Sequence, residues 1–173
     1  KYIIKVEAYG IKIDSKDTKV QKILDEEKER EFSGYSYDGA DASFELLANR
    51  LLGKVPEYLK VESYDVSVSK SDKILTKANV VFLIDGKKLI FGEGNGPVNA
   101  LDNAIRTNFK KVEKYYNFFS DLKLLDYKVR ILNTGTEATT RVLIESTDKS
   151  GKSWFTVGVS PNIIEASFKA LID

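Results

Sequence analysis

The stretch Gly92-Glu93-Gly94-Asn95-Gly96-Pro97 follows the apolar run Lys88-Leu89-Ile90-Phe91 and precedes a helical pattern from Val98 to Tyr116. A weaker copy, Thr156-Val157-Gly158-Val159-Ser160-Pro161, also follows an apolar run and also precedes a helix. Two strand-to-helix turns of matching design point to an internal duplication. Upstream of the first turn the period is two: Tyr64, Val66 and Val68 share one face, Ser63, Asp65 and Ser67 the other, with Glu62 at the edge. Ala78 to Ile84 reads as a second strand, Asp85-Gly86 as a two-residue hairpin turn and Lys88 to Phe91 as a third strand. Downstream, Val98, Leu101, Ile105, Phe109 and Val112 form one helical stripe. Pro97 suits its first position, where the missing N–H has no intrahelical partner. Asp102 lies early and Lys110, Lys111 and Lys114 lie late, as the helix dipole favours.

The same order then recurs. Asp121 to Ile131 aligns so that Tyr127, Val129 and Ile131 fall on Tyr64, Val66 and Val68. Thr139 to Ser146, a turn over Thr147 to Gly151, and Ser153 to Val159 follow, and Pro161 is expected to open a helix with Ile164, Phe168 and Leu171 inside. Neither copy covers its own sheet, so the expected fold class is α+β, with duplicated βββα units (57–116 and 121–173) packed about a pseudo-twofold axis in a domain over 55–173. A small helical linker subdomain over 1–54 precedes it. Its first segment, Lys1 to Gly10, reads either as the end of a helix or as a strand, and Asp14 to Asp17 offer caps. The next helix carries Val20, Ile23, Leu24 and Phe32 inward, with Asp25 to Glu31 as its solvated side. Gly34-Tyr35-Ser36-Tyr37 breaks that pattern, Asp38 and Asp41 offer caps, and Phe44, Leu47 and Leu51, broadened by Leu46, form a stripe ending at Gly53 and Pro56. Three short helices make a poor core, so this segment is expected to pack on something else.

Composition closes most catalytic routes. The 42% hydrophobic and 31% charged fractions are those of a soluble globular protein, and Lys+Arg 27 against Asp+Glu 26 leave only +1, so no basic face for nucleic acid or membrane is expected. With no His and no Cys, there is no Ser-His or Cys-His pair and no zinc site of the usual kind. No catalytic residue, metal site or cofactor is expected in this stretch. The absence of Met removes an initiator and suggests a piece of something longer, and no apolar run reaches the roughly 18 residues of a membrane span. A cytoplasmic origin is the default expectation.

The glycine turn has three readings. The spacing Gly-x-Gly-x-Gly-Pro on the third strand of a meander departs from the dinucleotide fingerprint, and no Gly-Lys-Ser/Thr follows for a phosphate loop. The glycines either supply φ > 0 and close strand-to-helix packing, or they open a helix start to a small anion such as a carboxylate. Tyr64-Asp65 and Asp126-Tyr127 occupy matching places, their aspartates either in polar recognition or on the wet face. Trp154 reads as a core or interface residue.

Gly34 to Leu47 resembles the linker helix of the citramalate synthase branch of the 2-isopropylmalate synthase and citramalate synthase family. Gly92 to Leu101 and Thr136 to Val142 resemble the regulatory region common to both branches. The resemblance implies a C-terminal domain that homodimerises and binds an end-product amino acid, isoleucine favoured and leucine second, for feedback inhibition. An acetyl-CoA-dependent catalytic barrel would lie upstream. It further implies effector contacts at the turn residues Gly94, Asn95, Gly96, Pro97, Val159, Ser160, Pro161 and Asn162, and an apolar wall of Leu124, Tyr127, Ile131 and Val142. The alternative is a structural dimerisation module without a ligand.

Overall fold

The computed structural model describes residues 18–55, 59–84, 87–89, 92–135 and 138–173. The expectations for Lys1 to Asp17 and for the Asp85-Gly86 turn lie outside this set. In chain order the elements are α1 (Thr18–Phe32), α2 (Asp41–Leu51), β1 (Lys60–Lys70), β2 (Ile74–Ile84), β3 (Lys87–Leu89), β4 (Gly92–Gly94), α3 (Pro97–Phe109), α4 (Glu113–Asp121), β5 (Lys123–Ile131), β6 (Thr140–Thr147), β7 (Ser153–Ser160) and α5 (Ile163–Ile172). The class is α+β: one sheet has the order β1-β2-β3 with β4 also on β2, the other the order β5-β6-β7, and each is followed or covered by helix. The chain divides into two compact units. The first comprises Lys1–Pro56, Leu125–Ser146 and Trp154–Asp173; the second comprises Glu57–Leu124 and Thr147–Ser153.

In the second unit, β1 and β2 pair antiparallel from Lys60↔Leu83 to Lys70↔Ile74, with an irregularity between Val61 and Ser63. Alternation holds along β2, where Thr76, Ala78, Val80, Phe82 and Ile84 are buried. The glycine stretch departs from expectation: Gly92, Glu93 and Gly94 remain in the sheet, opposite Ala78, Lys77 and Thr76, so the turn proper is only Asn95 and Gly96. None of its glycines has positive φ; among the described residues those that do are Gly34, Gly39, Gly53, Gly135 and Gly151. What Gly92 and Gly94 provide is close approach. A Cβ on Gly92 would lie 2.4 Å from Ala104 N, and one on Gly94 would lie 2.6 Å from Ala100 N, both on the backbone of α3.

The single helix expected over 98–116 is two. After Phe109 the chain tightens, with Lys111 N donating to Asn108 O (3.1 Å) and Val112 N to Phe109 O (3.0 Å), and Val112 turns extended to start α4. The cause is tertiary. Bending there stacks Phe119 on Phe109 at 4.3 Å and brings Tyr115 (5.7 Å) and Phe82 (6.2 Å) edge-on to the same ring. Arg106 secures the return by pairing with Asp102 (2.7 Å) and donating to Leu122 O. Val112 thus leaves the stripe, and the inner face of α3 becomes Ala100, Leu101, Ala104, Ile105, Asn108 and Phe109.

The first unit gives the linker helices their partner. Ile23 of α1, Phe44, Leu47 and Ala48 of α2, Tyr37 and Ala40 between them, and Val157 and Val159 of β7 form one buried cluster. Phe32 is 96% exposed, against expectation, because the face set by Val20 and Ile23 continues to Glu27 rather than to Phe32; Leu51, at the end of α2, is 37% exposed, since that helix buries Ser43, Phe44, Leu47 and Ala48. Glu27, assigned above to the solvated side, is therefore buried. No side chain caps α2, whose N-cap residue is Ala40, while Asp41 still sits in the first turn where the dipole favours it. At the other end Gly53 (φ +67) allows Gly53 N to reach Arg50 O (3.0 Å) and Lys54 N to reach Asn49 O (2.9 Å), the expected glycine stop.

Strand β7 is covered on both faces. Thr156 Oγ1 donates to Ala170 O (2.7 Å) and a Cβ on Gly158 would lie 2.0 Å from Ala166 O, so these positions meet α5, while Val157 and Val159 meet α2. Double burial explains its apolar run where alternation would otherwise be expected. Its free edge is closed by Ser43: Val157 N donates to Ser43 Oγ (2.9 Å), which donates to Asp173 Oδ2 (2.8 Å), and Asp173 in turn pairs with Arg50 (3.1 Å). Ser43→Ala is expected to lower the unfolding free energy by about 1–3 kcal/mol, because a buried strand N–H loses its acceptor. A urea midpoint that falls at constant slope would show it.

Candidate functional site

The second strand-to-helix turn also differs from expectation. Pro161 does not open the helix; α5 begins at Ile163, with Asn162 as its cap residue. Asn162 Oδ1 accepts from Ile164 N (2.8 Å) and Glu165 N (3.3 Å). Ser160 Oγ accepts from Asn162 N (3.1 Å) and donates to Glu165 Oε2 (2.7 Å). Glu165 also pairs with Lys169 (3.0 Å), and the Ser160 bond, then Lys169, holds its carboxyl below the usual range. Two first-turn donors of α5, Ile164 N and Glu165 N, are thus satisfied from within, and a carboxylate already occupies the dipole end. Asn162→Ala is expected to cost ~1 kcal/mol of stability in thermal denaturation, the usual loss of a side-chain cap.

The start of α3 is the opposite case. Gly96 is its cap residue, extended at φ −164 and ψ 170, and contributes no side chain to cap the first turn. Pro97 has no N–H to satisfy. Two asparagines fix the approach. Asn95 N donates to Asn99 Oδ1 (3.0 Å), and Asn103 Nδ2 donates to Glu93 O (2.9 Å). This turn offers backbone donors and the positive end of a dipole to an incoming anion.

The candidate contacts divide between the units. Gly94, Asn95, Gly96 and Pro97 are brought together at the α3 start, and Leu124, half-buried on β5, belongs to the same unit. Tyr127, Ile131, Val142, Val159, Ser160, Pro161 and Asn162 belong to the other. There Ser167 Oγ donates to Ile163 O (2.6 Å), so Tyr127 Oη donates to Ser167 Oγ (2.7 Å), and its ring lies half-buried against α5. Ile131 is 67% exposed on the same strand. Val142 is fully buried, and Val159 lies in the cluster with α2. Pro161 and Asn162 are exposed. The strand aspartates are on the wet face: Asp65 accepts from Asn79 Nδ2 (3.1 Å), and Asp126 pairs with Lys128 (2.7 Å), which holds its carboxyl below the usual range.

Asn99 and Asn103, which shape the α3 turn, were not singled out from the sequence; their i,i+4 spacing on a polar helix face was the available signal. The Asn162-x-x-Glu165 spacing likewise signalled a capped start. Among the described residues no group of three or more His, Cys, Asp or Glu is placed to hold a metal, and no helix is long and apolar enough to cross a membrane.

The LeuA allosteric (dimerisation) domain family matches residues 38–173. The chain is 47% identical over 177 residues to the (R)-citramalate synthase of Geobacter sulfurreducens, an alignment covering 99% of this chain and 33% of that protein. It is 45% identical to the (R)-citramalate synthase of Aquifex aeolicus, over 98% of this chain and 32% of the relative. A 2-isopropylmalate synthase of Burkholderia pseudomallei shares 41% over 98 residues, 56% of this chain and 17% of that protein. The chain thus spans about a third of the length of the citramalate synthases it matches. Fuller coverage places it nearer to them than to the 2-isopropylmalate synthase, as the Gly34 to Leu47 resemblance implied. Matched over most of its length and built of two βββα units, the chain belongs to the LeuA allosteric (dimerisation) domain family, on its citramalate synthase side.

Proposed function

We propose that this chain is a regulatory domain that binds a branched-chain amino acid, isoleucine first and leucine second, and pairs with a second copy as a homodimer. In the parent protein it exerts feedback inhibition on a cytoplasmic, citramalate synthase-like acyltransferase that uses acetyl-CoA and lies in the remainder of that longer chain. It has no catalysis and needs no cofactor of its own. The observation that carries the reading is the contrast between the helix starts: α5 is self-capped, whereas α3 begins at a glycine with no side-chain cap. An amino acid presents the carboxylate that such a start favours.

Magnitudes show why the turn cannot act alone. A carboxylate at a helix start gains about 0.3–1 kcal/mol, and burying a branched aliphatic side chain gains about 1.5–3 kcal/mol. An apolar wall must therefore supply most of the affinity. The family resemblance offers Leu124, Tyr127, Ile131 and Val142 as wall positions, and Gly94, Asn95, Gly96, Pro97, Val159, Ser160, Pro161 and Asn162 as turn positions; among the turns the uncapped α3 start is the one proposed to meet the carboxylate. A hydrophobic wall separates isomers by about 1–3 kcal/mol, so isoleucine and leucine should differ measurably in calorimetric titration. Heat with neither, together with no thermal shift, would sink the proposal.

Gly96→Val is the sharper test. A Cβ at Gly96 meets nothing within 4 Å, and its extended backbone suits a β-branched residue. Stability is expected to stay within about 0.5 kcal/mol, as for a neutral surface change, while isoleucine binding weakens and the dimer persists in sedimentation. Loss of the dimer would favour a second reading, a structural dimerisation module, which the close strand-to-helix packing at Gly92, Gly94 and Gly158 also suits. That module would sediment as a dimer indifferent to every amino acid.

A further inference from the structure

We propose that Asn95-Gly96 is a self-modification site, at which Asn95 deamidates and leaves a carboxylate at the start of α3. It is the one asparagine in the sequence followed by glycine. Asn95 is exposed, and among the described residues its side chain has no hydrogen-bond partner, whereas its main-chain N–H is tied to Asn99 Oδ1. Gly96 is extended, nothing lies within 4 Å of where its Cβ would be, and as a glycine it puts no side chain of its own between its nitrogen and the Asn95 amide. By contrast, the amides of Asn79, Asn103 and Asn108 donate to Asp65, Glu93 O and Ala104 O, and each precedes a residue bearing a Cβ.

The step balances with water as the only co-reactant. Base removes the Gly96 N–H proton, the nitrogen attacks Asn95 Cγ, and the Cγ–Nδ2 bond breaks as ammonia leaves with a proton from solvent. The resulting five-membered imide adds water. Opening at Cγ yields aspartate; opening at the main-chain carbonyl of position 95 yields isoaspartate, with the chain now running through Cγ. The uncapped end of α3 stabilises the anionic nitrogen through its positive dipole end. Either product places a negative charge at this end. Isoaspartate also lengthens the main chain by one methylene between β4 and α3, where Gly94 already lies against the backbone of Ala100.

The 173-residue chain, incubated folded at mildly alkaline pH, is expected to gain the mass of an amide-to-acid exchange in the peptide that holds Asn95, and in that peptide first. Protein isoaspartyl methyltransferase should label the same peptide. Gly96→Ala, whose Cβ has room, is expected to keep the fold and abolish the gain over the same interval. No gain at Asn95 in the folded chain, while an unfolded peptide of the same sequence deamidates, would overturn the proposal, as would equal gain at several asparagines. The modified chain is further expected to bind isoleucine more weakly. That consequence rests on the effector reading above, whereas the mass measurement stands whether or not isoleucine binds.

Discussion

Gly158→Ala is expected to lower stability by roughly 3 kcal/mol, at the upper end of the cost of overpacking a tight site, and to lower the melting temperature by about 10 °C for a chain of this size. The sign is the informative part. Alanine replacing glycine inside a strand ordinarily gains about 0.5–1 kcal/mol, so a loss requires a specific clash. The added Cβ would lie 2.0 Å from Ala166 O, 2.8 Å from Ala170 N and 3.0 Å from Lys169 Cβ. The nearest of these are main-chain atoms of α5 and cannot rotate away. Nor can β7 retreat, because Val157 and Val159 on its other face are packed against α2. The strand and helix must separate, which also stretches the bond from Thr156 Oγ1 to Ala170 O. Thermal denaturation followed by circular dichroism would read the effect. A melting temperature unchanged or raised would mean that β7 has room, and the close-approach account of the strand glycines would fail.

Gly158 also shows what could and could not be read from residue order. The Gly92 to Pro97 and Thr156 to Pro161 stretches were recognisable as a pair because strand, turn and helix start are local patterns, and Pro97 at the first position of α3 and Gly53 after α2 behave as local chemistry dictates. What the glycines do was not local. Gly92, Gly94 and Gly158 are fixed by backbone atoms six to twelve residues away along the chain, and only folding brings those atoms near. The break after Phe109 has the same origin, since the stacking of Phe119 on Phe109 is a tertiary preference that overrides a continuous helical period. Glu27 is buried because its i+4 relation to Ile23 outweighs the acidic run around it. At the candidate site the open start of α3 is legible, and the closed start of α5 is marked only by the Asn162-x-x-Glu165 spacing, which Pro161 masks by drawing the expected helix start two residues early. Val159 was read as a turn residue since a strand buried on both faces has no alternation to reveal which way each side chain points.

Phe44→Ala is expected to have the largest effect of all, about 3–5 kcal/mol, as for other large-to-small changes of a buried aromatic. Phe44 is fully buried, edge-on to Tyr37 at 5.7 Å, in the cluster that joins Ile23 and Leu47 to Val157 and Val159. The cavity cannot easily collapse, because β7 is held from behind by α5 and α2 is held at its ends by the Ser43 and Arg50 contacts to Asp173. Against a total stability of about 5–15 kcal/mol typical of folded domains, this is a large share. The variant also separates two pictures of the helical segment. If α1 and α2 were a detachable tether, the helical signal would melt early while β5 to β7 kept their own transition. If they share one core with β7, both must fail together. Trp154, the only tryptophan, lies on β7 and reports on the strand by fluorescence, while far-ultraviolet circular dichroism reports mainly on helix. Coincident transitions, both shifted to lower denaturant, are the expected result. A Trp154 transition left at its original midpoint would show that the helices are separable from the sheet. A shared core has a mechanical consequence as well: any ligand that displaces β7 must displace α2 through Val157 and Val159, since a close-packed interior shifts between discrete arrangements and does not absorb the movement.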